Sequence, residues 1–269
     1  MPELTLNPDL WLRRFHPDSG FGPDGRRDPV GPPRRTLLCF PHAGGSATTY
    51  FPLSAELRDE CDVVALQYPG RQDRRSEDPV DDLAQLADRV ADVLAADLDG
   101  PYAFFGHSMG AVLAFEVALR LAGAGARGPD HLFASGRRAP ACVRAEQVHR
   151  RDDAGLLREL RSLSGTDARV FDDPDIVAMV LPPVRADYRA IETYRYAPDR
   201  HSPGPDLACP ITALVGIEDP RVTLDEARRW AEHTAGPFAL RTFPGGHFYL
   251  TGSEPAVATA VRASLAGPA

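Results

Sequence analysis

From residue 35 onward the chain alternates two kinds of apolar pattern. The first is a short run, apolar on both faces and stopped by a turn residue. "RTLLCF" (35–40) ends at Pro41, "DVVALQY" (62–68) at Pro69-Gly70, and "YAFF" (102–105) at Gly106. "HLFASG" (131–136) follows a Gly-Pro turn, "ITALVG" (211–216) follows Pro210, and "ALRTF" (239–243) ends at Pro244-Gly245-Gly246. Runs of this length without polar alternation predict strands buried on both faces, as in a parallel sheet. The second pattern has helical spacing. In 80–98, Leu83, Leu86, Val90, Val93, Leu94 and Leu98 recur along one face, and 109–122, 223–235 and 254–266 also read as helices. Strands alternating with helices predict the α/β class, a mostly parallel central sheet flanked by helices.

Two intervals break this rhythm. More than seventy residues separate the runs at 131–136 and 211–216. They hold helical stretches ("DAGLLRELRSL", "PDIVAMVLPPVRADYRAIETY") but no good strand. One crossover does not need so much chain, so about 145–200 is expected to be a helical insertion over one edge of the sheet, placed as a lid. The other interval, 17–34, is rich in Pro, Gly and charge and is expected to be a flexible surface segment. The preceding "WLRRF" is expected to pack Trp11 and Phe15 onto the body. The organisation is then an N-terminal segment, 1–34, and one domain, 35–269, carrying the insertion.

Composition narrows the function classes. Thirty basic residues against 38 acidic ones give a net charge of −8, which argues against nucleic acid as the main partner. Every basic residue is arginine, so a bound anion would meet Arg, His or backbone N–H. Cys39, Cys61, Cys142 and Cys209 are scattered with no C-x-x-C, which reads as reduced thiols in a cytosolic protein rather than disulfides or a metal site. "MPELTLNPDLWLRRF" carries charges where a signal peptide has its apolar stretch, and no apolar run reaches membrane-spanning length. A soluble cytoplasmic protein is expected.

The candidate chemistry centres on "FFGHSMGAVLAF" (104–115). Ser108 lies between Gly106 and Gly110, directly after a predicted strand and at the start of a predicted helix. That is the context a nucleophile elbow requires, with glycines where side chains would collide with neighbouring backbone. The competing reading is a strand–turn–helix crossover with an incidental serine. A base is offered by His247 in "FPGGHFYL", after the last strand. His107 adjoins Ser108 in sequence, so the elbow points it elsewhere. His16, His149, His201 and His233 lie in surface-like or helical contexts. The acid of a Ser–acid–His order belongs in the loop after "ITALVG", where Glu218 and Asp219 are both available and Asp219 suits the loop better. Oxyanion donors are expected from the backbone N–H of Met109 and of Ala43 in "FPHAGGSATTY", with His42, Gly44 and Gly45 shaping that loop. The ordered set points to a serine hydrolase or acyltransferase.

"CFPHAGGSA", "YPGRQDR", "FGHSMGA", "SGRRAP", "LPPVRADYRAIETY" and "PGGHFYL", in that order and with "WLRRFHP" at the start, resemble the type II thioesterases of polyketide and nonribosomal peptide synthesis. The likeness covers about 9–17 and 35–255. It implies an α/β-hydrolase fold with a helical lid, and hydrolysis of acyl or aminoacyl thioesters from the phosphopantetheine arm of acyl or peptidyl carrier protein domains. The family clears stalled or mis-primed carriers as a separate enzyme in trans. It implies no cofactor and no metal, transient carrier partners and a monomer. Its triad maps onto Ser108, Asp219 and His247, and its oxyanion donors onto Ala43 and Met109. Two departures stand out. The link at 18–34 is longer than usual, and the acid loop, often G-D-x-D-P, reads "GIEDP", with Ile217 where the first Asp stands. Arg137 and Arg138 are candidates for a patch that receives an acidic carrier, with solvated surface charge as the alternative. Met179, Leu181 and Tyr188 are candidates to line an acyl chamber, with packing inside the lid as the alternative. The residues alone leave open a carboxylesterase or acyltransferase on small esters, and a catalytically idle hydrolase-fold binding subunit.

Overall fold

The computed structural model describes residues 7–16, 34–98, 100–163, 172–197 and 206–266. A four-residue turn of helix, α1 (Pro8–Trp11), runs into a short strand, β1 (Leu12–Arg14). Then come β2 (Arg35–Phe40), α2 (Phe51–Leu57), β3 (Cys61–Leu66), α3 (Leu83–Asp97), β4 (Tyr102–His107), α4 (Met109–Gly123) and β5 (Leu132–Ser135). After α5 (Asp153–Ser162) and α6 (Pro174–Thr193) the chain returns through β6 (Ile211–Gly216), α7 (Leu224–Arg228), β7 (Phe238–Phe243) and α8 (Glu254–Leu265). The seven strands lie in the order β1-β3-β2-β4-β5-β6-β7, all parallel except β1, which pairs antiparallel with β3.

The apolar runs of β2–β6 form buried strands because both faces are covered, whereas β7, expected to be buried on both faces, is an edge strand in which only Phe243 is buried. Leu38, Val64, Phe104, Leu132 and Ala213 face α3 and α4, while Leu37, Val63, Phe105, Phe133 and Leu214 face α2 and α8. Helix α4 is buried almost all round, as its near-continuous apolar sequence requires. Asp82 caps α3 by accepting from the Gln85 N–H at 2.9 Å, which starts the helix three residues later than the apolar spacing suggested.

Further sequence expectations need adjustment. The segment "WLRRF" is more than a packing tail: it forms the antiparallel edge strand β1. Trp11 is buried beneath the Arg74 guanidinium, 4.2 Å from its ring centre, and Phe15 meets Phe51 edge-on at 5.6 Å. The helix read over 223–235 is two pieces, α7 and a tighter turn at Arg229–His233. Segment 17–33 lies outside the described residues.

Between β5 and β6, helices α5 and α6 form a small apolar cluster of their own around Val148, Leu156, Leu181 and Val184. Helix α6 contains Pro182 and Pro183, each of which removes a helix donor. Further along it, Ala190 and Ile191 join the main core, so this end of the helix is rooted in the body.

Candidate active site

Ser108 takes φ 53° and ψ −115°, a left-handed conformation that a non-glycine residue rarely adopts. Its surroundings hold it there. The Ser108 N–H donates to the Ser135 carbonyl at 2.8 Å, tying the elbow to the end of β5. A Cβ at Gly106 would stand 2.2 Å from the Gly110 oxygen, and one at Gly110 would stand 2.0 Å from the Phe40 oxygen. Strand β4, helix α4 and the end of β2 therefore meet backbone to backbone, and glycine at both positions allows it. The strained turn lifts the hydroxyl above the carboxyl ends of the strands.

Two loops deliver the partners. They leave the adjacent strands β6 and β7 and are bonded to each other, Ile217 N–H to the Phe243 carbonyl at 2.9 Å and Glu218 N–H to the Gly245 carbonyl at 3.0 Å. His247 Nε2 stands 3.0 Å from Ser108 Oγ. His247 Nδ1 stands 2.9 Å and 3.1 Å from the two Asp219 oxygens. An ionised carboxylate only accepts, so Nδ1 carries the proton and Nε2 is left to accept from the serine hydroxyl. Asp219 is held in turn by the Arg221 N–H at 2.7 Å. Glu218 is exposed and does not reach His247. The structure thus brings Ser108, Asp219 and His247 together and gives the acid position to Asp219. Met109, the first residue of α4, has an N–H with no carbonyl one helical turn back to receive it. Ala43 lines the same cavity as Ser108 and His247.

Two further imidazoles sit close by and are held neutral. Burial first, then the neighbouring His247 and Arg71, pull His42 down to about 3. His107 is pushed well below its ordinary range by burial and then by His247 and His42. Its Nδ1 lies 2.9 Å from Ser135 Oγ, which lies 2.6 Å from the Tyr249 hydroxyl. His107 is therefore a packed, hydrogen-bonded neighbour of the relay, as its place beside the elbow predicted. A neutral ring at both positions avoids a second positive charge beside the imidazolium that forms at His247.

The cavity over Ser108 measures about 40 Å³, room for water rather than an acyl chain. The insertion walls it with Tyr188, Ile191 and Glu192 of α6. Arg137 also lines it. Burial and then Arg138 draw the Arg137 guanidinium down to about 9, and among the described residues Arg137 makes no ion pair. Arg138 is not solvated surface charge: it is 4% exposed and bonded to Glu146 at 2.5 Å. Of the three residues considered for an acyl chamber, only Tyr188 faces the cavity. Met179 is exposed, and Leu181 packs within the insertion. His233 lies at the end of the helical turn after α7, a helical context, and is buried against Phe115, Tyr196 and Trp230 with Nδ1 on Asp206 at 2.7 Å. His149 is half-buried on Glu192 and His16 half-buried on Ser54, while His201 lies outside the described residues. Glu146 and Glu192 reach the cavity with no local sequence signal, because only the folding of the insertion brings them there, and Arg221 joins them from the loop that carries Asp219.

A serine on a strand–helix elbow, a histidine and an aspartate on the next loops, and a parallel sheet beneath them define a serine hydrolase of the α/β-hydrolase fold. Comparison with known proteins narrows the class. Residues 35–265 match the family model described as a thioesterase domain. The chain is 51% identical to a probable cadicidin biosynthesis thioesterase of Streptomyces griseus over 255 residues, which is 95% of this chain and 66% of that protein, just under two thirds of its length. It is 44% identical to thioesterase PikA5 of Streptomyces venezuelae, covering 93% of this chain and 84% of that one. Among solved structures it superposes on the type II thioesterase BorB of the borrelidin cluster with a TM-score of 0.79 and 46% identity, over 95% and 96% of the two chains. The RedJ thioesterase of the prodiginine pathway in Streptomyces coelicolor gives 0.78 and 38% identity, over 87% and 90%. The chain belongs to the thioesterase family, and the likeness to type II thioesterases read from its motifs is borne out.

Proposed function

We propose that the protein hydrolyses acyl or aminoacyl thioesters held on the phosphopantetheine arm of carrier protein domains, releasing stalled or aberrant groups during polyketide or nonribosomal peptide synthesis. The observation that carries this reading is the Ser108 Oγ–His247 Nε2 contact at 3.0 Å, continued from Nδ1 to Asp219. His247 takes the Ser108 proton as Oγ attacks the thioester carbonyl. The oxyanion rests on the Ala43 and Met109 N–H groups. Collapse breaks the C–S bond, and His247 returns the proton to the departing thiolate. Water, deprotonated by His247, then attacks the acyl-serine, and the acid leaves as Ser108 regains its proton. A thiol leaves readily because its pKa is about 8.5. No step calls for a cofactor, since the substrate brings its own arm.

The 40 Å³ cavity supports a role for the insertion as a lid. An acyl-loaded arm reaches Ser108 only if α5 and α6 give way. No helix among the described residues is long and apolar enough to cross a membrane. In this reading the enzyme works in the cytoplasm as a monomer and meets its carriers transiently. The same relay also cleaves oxygen esters. The deciding experiment compares acyl-carrier thioesters with matched oxygen esters, and with an added alcohol or amine to reveal transfer. Faster hydrolysis of the thioesters to free acid is expected; a preference for oxygen esters, or transfer products, would overturn the assignment.

A further inference from the structure

Two motifs that the mechanism leaves unused meet behind the Ala43 loop "PHAGG": "YPGRQDR" after β3, and "LPPVRADYRA" on α6. Their meeting point is an ion pair between Arg71, 7% exposed, and Asp187, 1% exposed. The pair is forked, with NH1 to Oδ2 at 2.6 Å and NH2 to Oδ1 at 2.9 Å. Arg71 NH1 also donates to the Gly45 carbonyl at 3.1 Å and Nε to the Pro69 carbonyl at 3.3 Å. The same Asp187 oxygen accepts the Gly44 N–H at 2.7 Å. Burial lowers the Arg71 pKa, but Asp187 more than reverses that, so the guanidinium is raised above its ordinary value.

A buried ion pair is weak evidence of stability, because apolar side chains of similar volume usually serve as well. Its position is more informative. The Ala43 loop is a tight turn closed by Gly45 N–H to the His42 carbonyl at 2.8 Å. Gly44 sits at φ +78°, and a Cβ there would stand 2.7 Å from Val184 Cγ2 on α6. The turn is therefore held on three sides: by its own hydrogen bond, by Arg71 and by α6. The Gly44 and Gly45 N–H groups are both engaged. The Ala43 N–H, between them and His42, belongs to the residue that lines the Ser108 cavity.

We propose that Asp187 and Arg71 are positioning residues that fix the peptide after Ala43, so that the Ala43 N–H is aimed at the oxyanion. This rests on the acyl-enzyme mechanism above and deepens it: α6 of the insertion is part of the catalytic apparatus as well as a wall. A backbone donor helps the transition state only when it is already oriented, and an error of about 1 Å costs on the order of 10² in rate. The device also couples the two, since any movement that carries Asp187 away releases the Gly44 N–H and the turn.

The test replaces the pair by apolar side chains, Arg71→Met with Asp187→Leu. This variant keeps the core filled but leaves Gly44 without its acceptor. Turnover is followed on both a propionyl carrier thioester and a p-nitrophenyl ester, with thermal midpoint and affinity for a boronic acid that mimics the tetrahedral oxyanion. The expected result is a kcat about 10²-fold lower on both substrates with KM nearly unchanged, and boronate affinity falling by a similar factor. The conservative Arg71→Lys is expected to recover part of the loss, and it serves alone if the double variant does not fold. A variant with wild-type kcat and boronate affinity overturns the proposal. So does a loss of activity that only tracks the folded fraction. If the wild type cleaves the ester but no carrier thioester, the substrate reading fails, and the kcat comparison on the ester still judges this proposal.

Discussion

At the scale of single residues, Ser108, Asp219 and His247 have separate tasks that single substitutions can separate. Ser108→Ala removes the nucleophile and is expected to lower carrier thioester hydrolysis by at least ~10³-fold. Asp219→Asn is expected to cost about 10⁴-fold in kcat while leaving the fold intact. An amide can donate to Nδ1, which moves the imidazole proton to Nε2 and removes the acceptor for the serine. Near-wild-type turnover of the Asp219→Asn protein would show that the carboxylate contacts at 2.9 and 3.1 Å do not select the tautomer. The alternative acid is tested the same way: Glu218→Gln is expected to retain activity within a few-fold, because its side chain faces solvent.

At the scale of elements, the elbow depends on three backbones in contact. Gly110→Ala places a methyl 2.0 Å from the Phe40 oxygen and 2.7 Å from the Pro41 oxygen. Neither can retreat like the end of a flexible side chain. The expected loss is roughly 3 kcal/mol or more, read as a lower urea midpoint at unchanged m value. An unchanged midpoint would mean the elbow is looser than the described packing. Elements also show what the sequence could and could not display. The strands β2–β6 were legible because each is an apolar run ended by Pro or Gly, and a buried parallel strand needs no other signal; β7 was legible as a run but not as a part-exposed edge strand. The strand β1 was not, because its three residues, Leu-Arg-Arg, have no period and pair only through β3. Ser108, His247 and Asp219 stand at strand ends, where chain order points to them, although order alone leaves Glu218 beside Asp219. Arg138, His233 and Asp187 look like ordinary polar residues of loops and helices. Their burial depends on Glu146, Asp206 and Arg71, which lie 8, 27 and 116 positions away.

At the scale of the whole molecule, buried neutral histidines link the fold to pH. His131, packed on Phe133 and bonded to Thr212 Oγ1 at 2.9 Å, is drawn down to about 4 by burial and then by Arg35. His42 is drawn down to about 3 by burial first. In the unfolded chain both titrate near 6.5. Below that pH the unfolded state takes up protons that the folded state refuses, so stability is level above about 6.5. It falls toward pH 4 for His131 and pH 3 for His42, each by at most about 1.4 kcal/mol per pH unit. The thermal midpoint is therefore expected to drop between pH 6.5 and 4. His131→Gln should lose stacking but flatten that slope, and an unchanged slope would remove His131 from the acid response. The narrow cavity over Ser108 is the other property of the whole molecule. Helix α6 is rooted in the core through Ala190 and Ile191 and pinned through Asp187, and its residues Tyr188, Ile191 and Glu192 wall the cavity.

The most direct test of the central claim is intact-protein mass spectrometry of a propionyl-loaded carrier protein incubated with the enzyme and with Ser108→Ala. The wild type is predicted to return the carrier to its free phosphopantetheine form and release propionate, passing through an enzyme species heavier by one propionyl group on Ser108. The Ser108→Ala protein should leave the carrier loaded and carry no adduct. Equal unloading by the two proteins would contradict the account.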